Sequence, residues 1–239
     1  IKTLMKHIQR AILCLALISG SALGGPFEAG LSALDREHYA TAMRAWLKLA
    51  NEGAAEAQNN IGHLYEQGFG VSQNYTEAMN WYRKAADQGL AEAQHNMGML
   101  YYHGYGVAEN QRTAASWFKR AALQDLVDAE YMLGLAYHEG KGVELNYQLA
   151  KHWFKKGALK AYGNAQFMYA YMLQSAQGGD DEPEAQKAMV WAALSEHNGK
   201  TDAISITSVA AMQMEDREIS DVQGIVDQCL ATNYAQCPE

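Results

Sequence analysis

Residues 91–126 read AEAQHNMGMLYYHGYGVAENQRTAASWFKRAALQDL, and the same text returns with changes on both sides. Residues 55–90 (AEAQNNIGHLYEQGFGVSQNYTEAMNWYRKAADQGL) and 127–162 (VDAEYMLGLAYHEGKGVELNYQLAKHWFKKGALKAY) keep its landmarks at a step of 36. One ladder is Gly62, Gly98, Gly134 and then Ala170; a second is Trp46, Trp81, Trp117, Trp153 and Trp191, at steps of 35, 36, 36 and 38. Two unrelated markers holding one period mark a repeat architecture. A degenerate fourth unit occupies 163–200, with Leu173 where the others have tyrosine and an acidic loop, Gly178 to Pro183, two residues longer.

Each unit reads as two helices. The second half sets Ala78, Trp81, Tyr82, Ala85 and Ala86 at i, i+3, i+4, i+7 and i+8, one apolar face, and units two and three repeat it. The first half pairs a small residue with a mid-helix glycine and a tyrosine, as in Ala57, Ile61, Gly62 and Tyr65, and this too recurs in units two and three. Glycine inside a helix costs about 0.5–1 kcal/mol relative to alanine, so its recurrence predicts a neighbouring helix too close for a side chain, with large rings filling the space beside it. Between the halves lie Gly68-Phe69-Gly70-Val71, Gly104-Tyr105-Gly106-Val107 and Gly140-Lys141-Gly142-Val143. The first glycine of each suits the left-handed position that ends a helix, and Asn74, Asn110 and Asn146 suit the cap of the next. No third glycine, preceding strand or Lys-Ser/Thr pair turns these loops into a phosphate cradle. Asn74-Tyr75-Thr76 has the form of a glycosylation sequon, but Glu77 three residues after Asn74 makes it a capping arrangement.

A 49% hydrophobic content with only three prolines suits a packed, all-helical chain, and strand signals are absent. Residues 1–24 read as a secretory signal peptide: Lys2, Lys6 and Arg10 precede the apolar run Ala11 to Ser19, and Ser21, Ala22 and Gly24 supply small residues for cleavage. The apolar run is too short to span a bilayer. Removing residues 1–24 takes the net charge from −8 to −11, because they carry three positive charges and no acid. That balance argues against nucleic acid and anionic lipid as partners. Cys229 and Cys237 then remain, an even count in a chain bound for the periplasm or the exterior, and a disulfide is expected. The chain-entropy model gives so short a loop about 2.5 kcal/mol. Two free thiols or a metal pair are the alternatives, without a CxxC or flanking histidine to support the metal.

The unit at 91–126 resembles the Sel-one-like repeat (SLR), a relative of the tetratricopeptide repeat, and the resemblance spans roughly residues 38–200. It departs in having Asn74, Asn110 and Asn146 where aspartate is usual, and in the fourth unit. The resemblance implies a right-handed α/α superhelix of antiparallel hairpins acting as an adaptor for protein complexes, in bacteria often in the envelope. Residues 25–54 then form an N-terminal capping hairpin, 55–200 the repeats (55–90, 91–126, 127–162, 163–200) and 201–239 closing helices held by the disulfide.

By the same resemblance, first helices line the concave groove. The matching positions are Asn59, His63 and Glu66 in unit one, then His95, Met99, Tyr102 and His103 in unit two. Unit three contributes Tyr131, Leu135 and His138, and unit four Phe167 and Tyr171. Aromatic, methionine, histidine and amide groups without lysine suit a contact surface for a protein or peptide. No cofactor is implied. The histidines come from different units with no HxxxH, so no metal site is expected, and Asp180-Asp181-Glu182 lacks the alternating oxygen ligands of a calcium loop. No G-x-S-x-G, H-E-x-x-H or Cys/His nucleophile pattern marks an enzyme. Two alternatives stand beside the adaptor: a periplasmic hydrolase acting on β-lactam or cell-wall substrates, by family analogy alone, and a cell-wall glycan binder using the groove rings as stacking platforms.

Overall fold

The computed structural model describes residues 25–179 and 182–238; the expected leader and part of the acidic loop, Asp180 and Asp181, lie outside them. Among the described residues there are twelve α-helices and no strand. Helices α1 (Pro26–Asp35) and α2 (Tyr39–Asn51) form a leading hairpin. Four pairs follow: α3 (Ala55–Gln67) with α4 (Tyr75–Asp87), α5 (Ala91–His103) with α6 (Gln111–Ala122), α7 (Val127–Glu139) with α8 (Tyr147–Leu159), and α9 (Gly163–Gln174) with α10 (Ala185–His197). A 3₁₀ turn, Thr201–Ala203, leads into α11 (Ile204–Ala211), and α12 (Asp216–Ala231) packs back against α10. Up to α11 each helix packs chiefly on its neighbours in sequence, which makes the array the α-solenoid that the period implies.

Local chemistry sets the boundaries. Asn74, Asn110 and Asn146 each accept the backbone N–H three residues on, at 2.9–3.0 Å, so one orphan donor per second helix is satisfied. Gly68, Gly104 and Gly140 end the first helices at φ of 71°, 70° and 66°. The second glycine of each loop has a separate reason. A Cβ on Gly70 or Gly106 would lie 2.8 Å from the Cβ of Tyr39 or Tyr75, and one on Gly142 would strike the Gln111 carbonyl. The loop of each unit therefore rests on the start of the second helix of the hairpin before it. Phe69 stacks on Tyr39 and Tyr105 on Tyr75, with ring centroids 4.5 and 4.7 Å apart, which tightens the same seam.

At the mid-helix glycines the neighbouring helix does come too close for a side chain, through an aromatic ring that lies on the glycine itself and not beside it. A Cβ would approach Tyr82 Cδ1 to 2.7 Å at Gly62, Phe118 Cε1 to 2.5 Å at Gly98 and Phe154 Cε1 to 2.6 Å at Gly134. Gly30 meets the Trp46 indole in the same way, so Trp46 corresponds to Tyr82, 36 residues on, and not to Trp81. That explains the one short step in the tryptophan ladder.

The remaining tryptophans join units. Trp81 packs against the cluster that holds Trp46, Ala50, Ala57, Ile61 and Leu64; Trp117 belongs to the cluster of Ala78, Tyr82, Ala85, Ala93 and Met97, and Trp153 to that of Ala114, Phe118, Ala121, Ala129 and Leu133. Each indole thus shares a cluster with the first helix of its own unit and the second helix of the preceding hairpin. The core is a chain of clusters, each drawn from consecutive helices, and this is why no unit can bury its apolar face alone. Lys84, Arg120 and Lys156 lie over these three indoles at 3.9, 4.2 and 5.0 Å.

The fourth unit departs from the template and still packs. Ala170 replaces the glycine, and Ala192, 38 residues after Phe154, replaces the ring that would have collided with its methyl. Tyr169, at the position of Ile61, Met97 and Leu133, fills the space instead and meets Trp191 edge-on at 5.4 Å. Tyr169, Ala170, Trp191 and Ala192 are all buried in one cluster.

A polar column also recurs at 36 residues. Gln58, Gln94 and Gln166 are buried, and their amide nitrogens donate to the carbonyls of Ala50, Ala86 and Ala158 at 2.9, 3.2 and 3.0 Å. Their oxygens accept from Gln88, Gln124 and Asn198 at 2.7–2.8 Å. In unit three the pair is ionic: Glu130 Oε1 takes Lys160 at 2.7 Å and Lys156 at 3.2 Å, while Oε2 is buried without a hydrogen bond.

Cys229 and Cys237 form the disulfide. It holds the tail where the Pro238 carbonyl accepts the indole N–H of Trp191 at 3.0 Å. Reduction, or Cys237→Ser, is expected to lower unfolding free energy by about 2.5 kcal/mol in urea titrations and to change the tryptophan emission of the folded chain. Superimposable titrations would show that the tail carries no weight.

Candidate functional site

The four first helices set equivalent residues side by side in columns. One column is Asn59, His95, Tyr131 and Phe167; the next is His63, Met99, Leu135 and Tyr171; the third is Glu66, Tyr102, His138 and Gln174. The face therefore grades from polar and acidic at unit one to aromatic at unit four. Of the twelve residues that the sequence assigns to it, His103 and Tyr171 are exposed and the other ten are half-buried, held by their neighbours.

At the polar end, Asn59 accepts from Asn96 of the next unit at 3.0 Å. Glu66 accepts the Tyr82 hydroxyl at 2.6 Å and lies 3.9 Å from His63. Burial pushes the Glu66 carboxyl up, but the hydrogen bonds of His63 and Tyr82 outweigh it and leave the group below the usual range. Burial and the Glu66 charge raise the Tyr82 hydroxyl well above its ordinary value. Burial lowers His95 against the opposing charges of Asp128 and Glu66, and its Nδ1 is buried without a hydrogen-bond partner.

A depressed carboxylate contributes stability that is complete above its unfolded value, near 4.5, and is lost as pH falls through the folded one. Wild type and Glu66→Gln should accordingly differ in melting temperature at neutral pH and converge in acid. Parallel curves would remove the Glu66 link from the account.

Tyr102 and Leu135 come together at the seam of units two and three. With Phe118, Met132, Ala136 and Glu139 they line a narrow cleft of about 10 Å³, barely room for one water, where Lys141 also lies and pairs with Glu139 at 2.7 Å. The ring stack seen at the two earlier seams is replaced here by Gln111 and Lys141. His103 stacks on Tyr105 at 5.0 Å and meets Tyr102 edge-on. Tyr131 lies against Phe154 and Tyr162, and His138 contacts Tyr171, Tyr147 and the Gln177 side chain, the last at 3.1 Å. Met99 packs on the cluster around Phe118, and Phe167 lies under the Lys200 ammonium at 5.5 Å. Among the described residues no three His, Cys, Asp or Glu side chains converge as metal ligands, and no helix is long and apolar enough to cross a membrane.

The sequence reading missed the glutamine column, although its signal was present: the fourth residue of each unit is Gln58, Gln94, Glu130 or Gln166. Polar residues at a fixed place in an amphipathic helix look solvated until the neighbouring unit is known.

The sequence model of the Sel1 repeat matches residues 55–90, 91–126, 127–162 and 163–199. The chain belongs to the Sel1 repeat family. Sel1 repeat proteins generally act as scaffolds for protein–protein interaction and are generally not enzymes. A Sel1 repeat protein from Oxalobacter formigenes is 32% identical, with a TM-score of 0.67 over 85% of this chain and 86% of that one. A protective antigen of uropathogenic Escherichia coli with an SLR fold is 26% identical, with a TM-score of 0.77 over 88% of this chain. This chain spans 46% of that antigen's length. A Klebsiella pneumoniae protein described as a putative Sel1 repeat protein shares the fold at 21% identity, with a TM-score of 0.50 over 78% of this chain and 91% of that one. No curated protein matches the chain.

Proposed function

We propose that this Sel1 repeat protein is an exported adaptor that holds a protein partner along the face of its first helices. The observation that carries the reading is the contrast between the two helix sets. Second helices spend their rings on glycines and on unit seams, whereas first helices present residues that are half-buried and of contact-forming types, ending in exposed His103 and Tyr171. Export to the periplasm or the exterior is supported by the charged and apolar pattern of residues 1–24, by the Cys229–Cys237 disulfide and by the description of one relative as a protective antigen.

Tyr102 and Tyr131 pack against Phe118 and Phe154, so substituting them would perturb the fold as well as the face. His103→Ala with Tyr171→Ala is the cleaner change. Crosslinking in the source cell followed by mass spectrometry should recover a recurring protein with the wild-type chain and at least tenfold less with this double variant. Recovery unaffected by it would exclude the face, and retention on purified cell wall at the expense of any protein would favour the glycan reading.

A further inference from the structure

Charge is divided between the two helix sets. The four first helices contain no lysine or arginine and six carboxylates: Glu56, Glu66, Glu92, Asp128, Glu130 and Glu139. The four second helices contain nine lysines and arginines and three carboxylates. Helix dipoles explain part of this, because Glu56, Glu92 and Asp128 each stand in a first turn, where an acid is stabilised. They do not explain the rest. A last turn favours a cation, and α4, α6 and α8 have Lys84, Lys119 with Arg120, and Lys156 there; α3 and α9 have none, and α5 and α7 only His103 and His138. Exclusion of lysine and arginine from first helices thus runs against the local preference, and has its reason on the surface.

The carboxylates are also placed alike. Glu56, Glu92 and Asp128 recur at 36 residues and so form a row along one edge of the face, with Glu66 in the column beside Tyr102 and His138. Glu56 and Glu92 are exposed and make no ion pair among the described residues; Asp128 is held by the Tyr162 hydroxyl. The cations near the face are already engaged: Lys141 with Glu139, and Lys200 with Asp202. Glu130 belongs to the interior, with Lys156 and Lys160.

From this charge complementarity we infer that the partner segment is basic: an extended stretch bearing lysine or arginine, whose cations run along the Glu56–Glu92–Asp128 row while its apolar side chains meet the ring-rich columns. This deepens the adaptor reading and rests on it. Desolvated charge near aromatic faces adds cation–π attraction that an acidic or neutral segment lacks.

A random library of 12-residue peptides, panned against the purified chain at physiological salt, tests this. Selected peptides should be enriched in lysine and arginine. A representative binder should weaken about tenfold on Glu56→Gln, Glu92→Gln and Asp128→Asn combined, since three ion pairs, two exposed and one half-buried, are removed. Asp87→Asn, Asp216→Asn and Asp221→Asn make the same change in net charge elsewhere and should leave affinity within twofold. Equal losses in the two triple variants would reduce the effect to overall charge and overturn the inference. Selection of neutral or acidic peptides that still compete with the natural partner would overturn it while leaving the adaptor reading intact. Failure to select any peptide would count against both.

Discussion

Gly98→Val is expected to destabilise the array by roughly 3 kcal/mol, although valine is a better helix former than glycine. The Cβ alone would lie 2.5 Å from Phe118 Cε1, and that ring has nowhere to move, being buried between α5, α6 and the seam with α7. The fourth unit supplies the control. Its Ala170 and Ala192 show that a methyl is admitted once the ring is gone. Gly98→Ala alone and Phe118→Ala alone should each destabilise, the second by about 3–5 kcal/mol for its lost ring. Together they should destabilise by at least 1 kcal/mol less than the sum, a coupling that urea titrations of the four chains measure. Strict additivity would mean that ring and glycine do not touch.

A loss of similar size is expected when Lys156 and Lys160 are both replaced by methionine. Methionine keeps the apolar stem over Trp153 but strands the Glu130 carboxylate, which is fully buried, and removing the partners of a buried charge costs about 3–5 kcal/mol. Changing Glu130 and Lys160 both to glutamine should recover most of the stability of the parent, because it rebuilds the amide pair that Gln94 and Gln124 make one unit earlier. A lysine pair removable without effect would show that the carboxylate is hydrated.

Much of this was legible in the sequence because it is local. The asparagine caps, the left-handed glycines that end α3, α5 and α7, and the apolar faces are fixed by residues within one turn or one loop. What was not legible depends on which neighbour a residue meets. The tryptophan ladder sets Trp46 and Trp81 in one series, yet one ring covers a glycine within its hairpin and the other joins two hairpins. The glutamine column needed the preceding helix to show that it is buried, and the exchange of Met97 and Phe118 for Tyr169 and Ala192 is invisible until both helices are packed. On the candidate face the same limit applied: the columns were identifiable by register, but the half-burial of Tyr131, Met99 and Phe167 is set by rings from adjoining helices.

Contact between the first-helix face and a protein partner is open to direct test by photocrosslinking. A photoreactive benzoylphenylalanine can be placed singly at Gln67 and Tyr171, on the first helices, and at Lys84 and Lys119, on the second, and irradiated in the source cell. The account predicts one shared protein adduct from Gln67 and Tyr171 and none of comparable yield from Lys84 or Lys119. The same adduct from all four positions, or adducts only from the second helices, would contradict it.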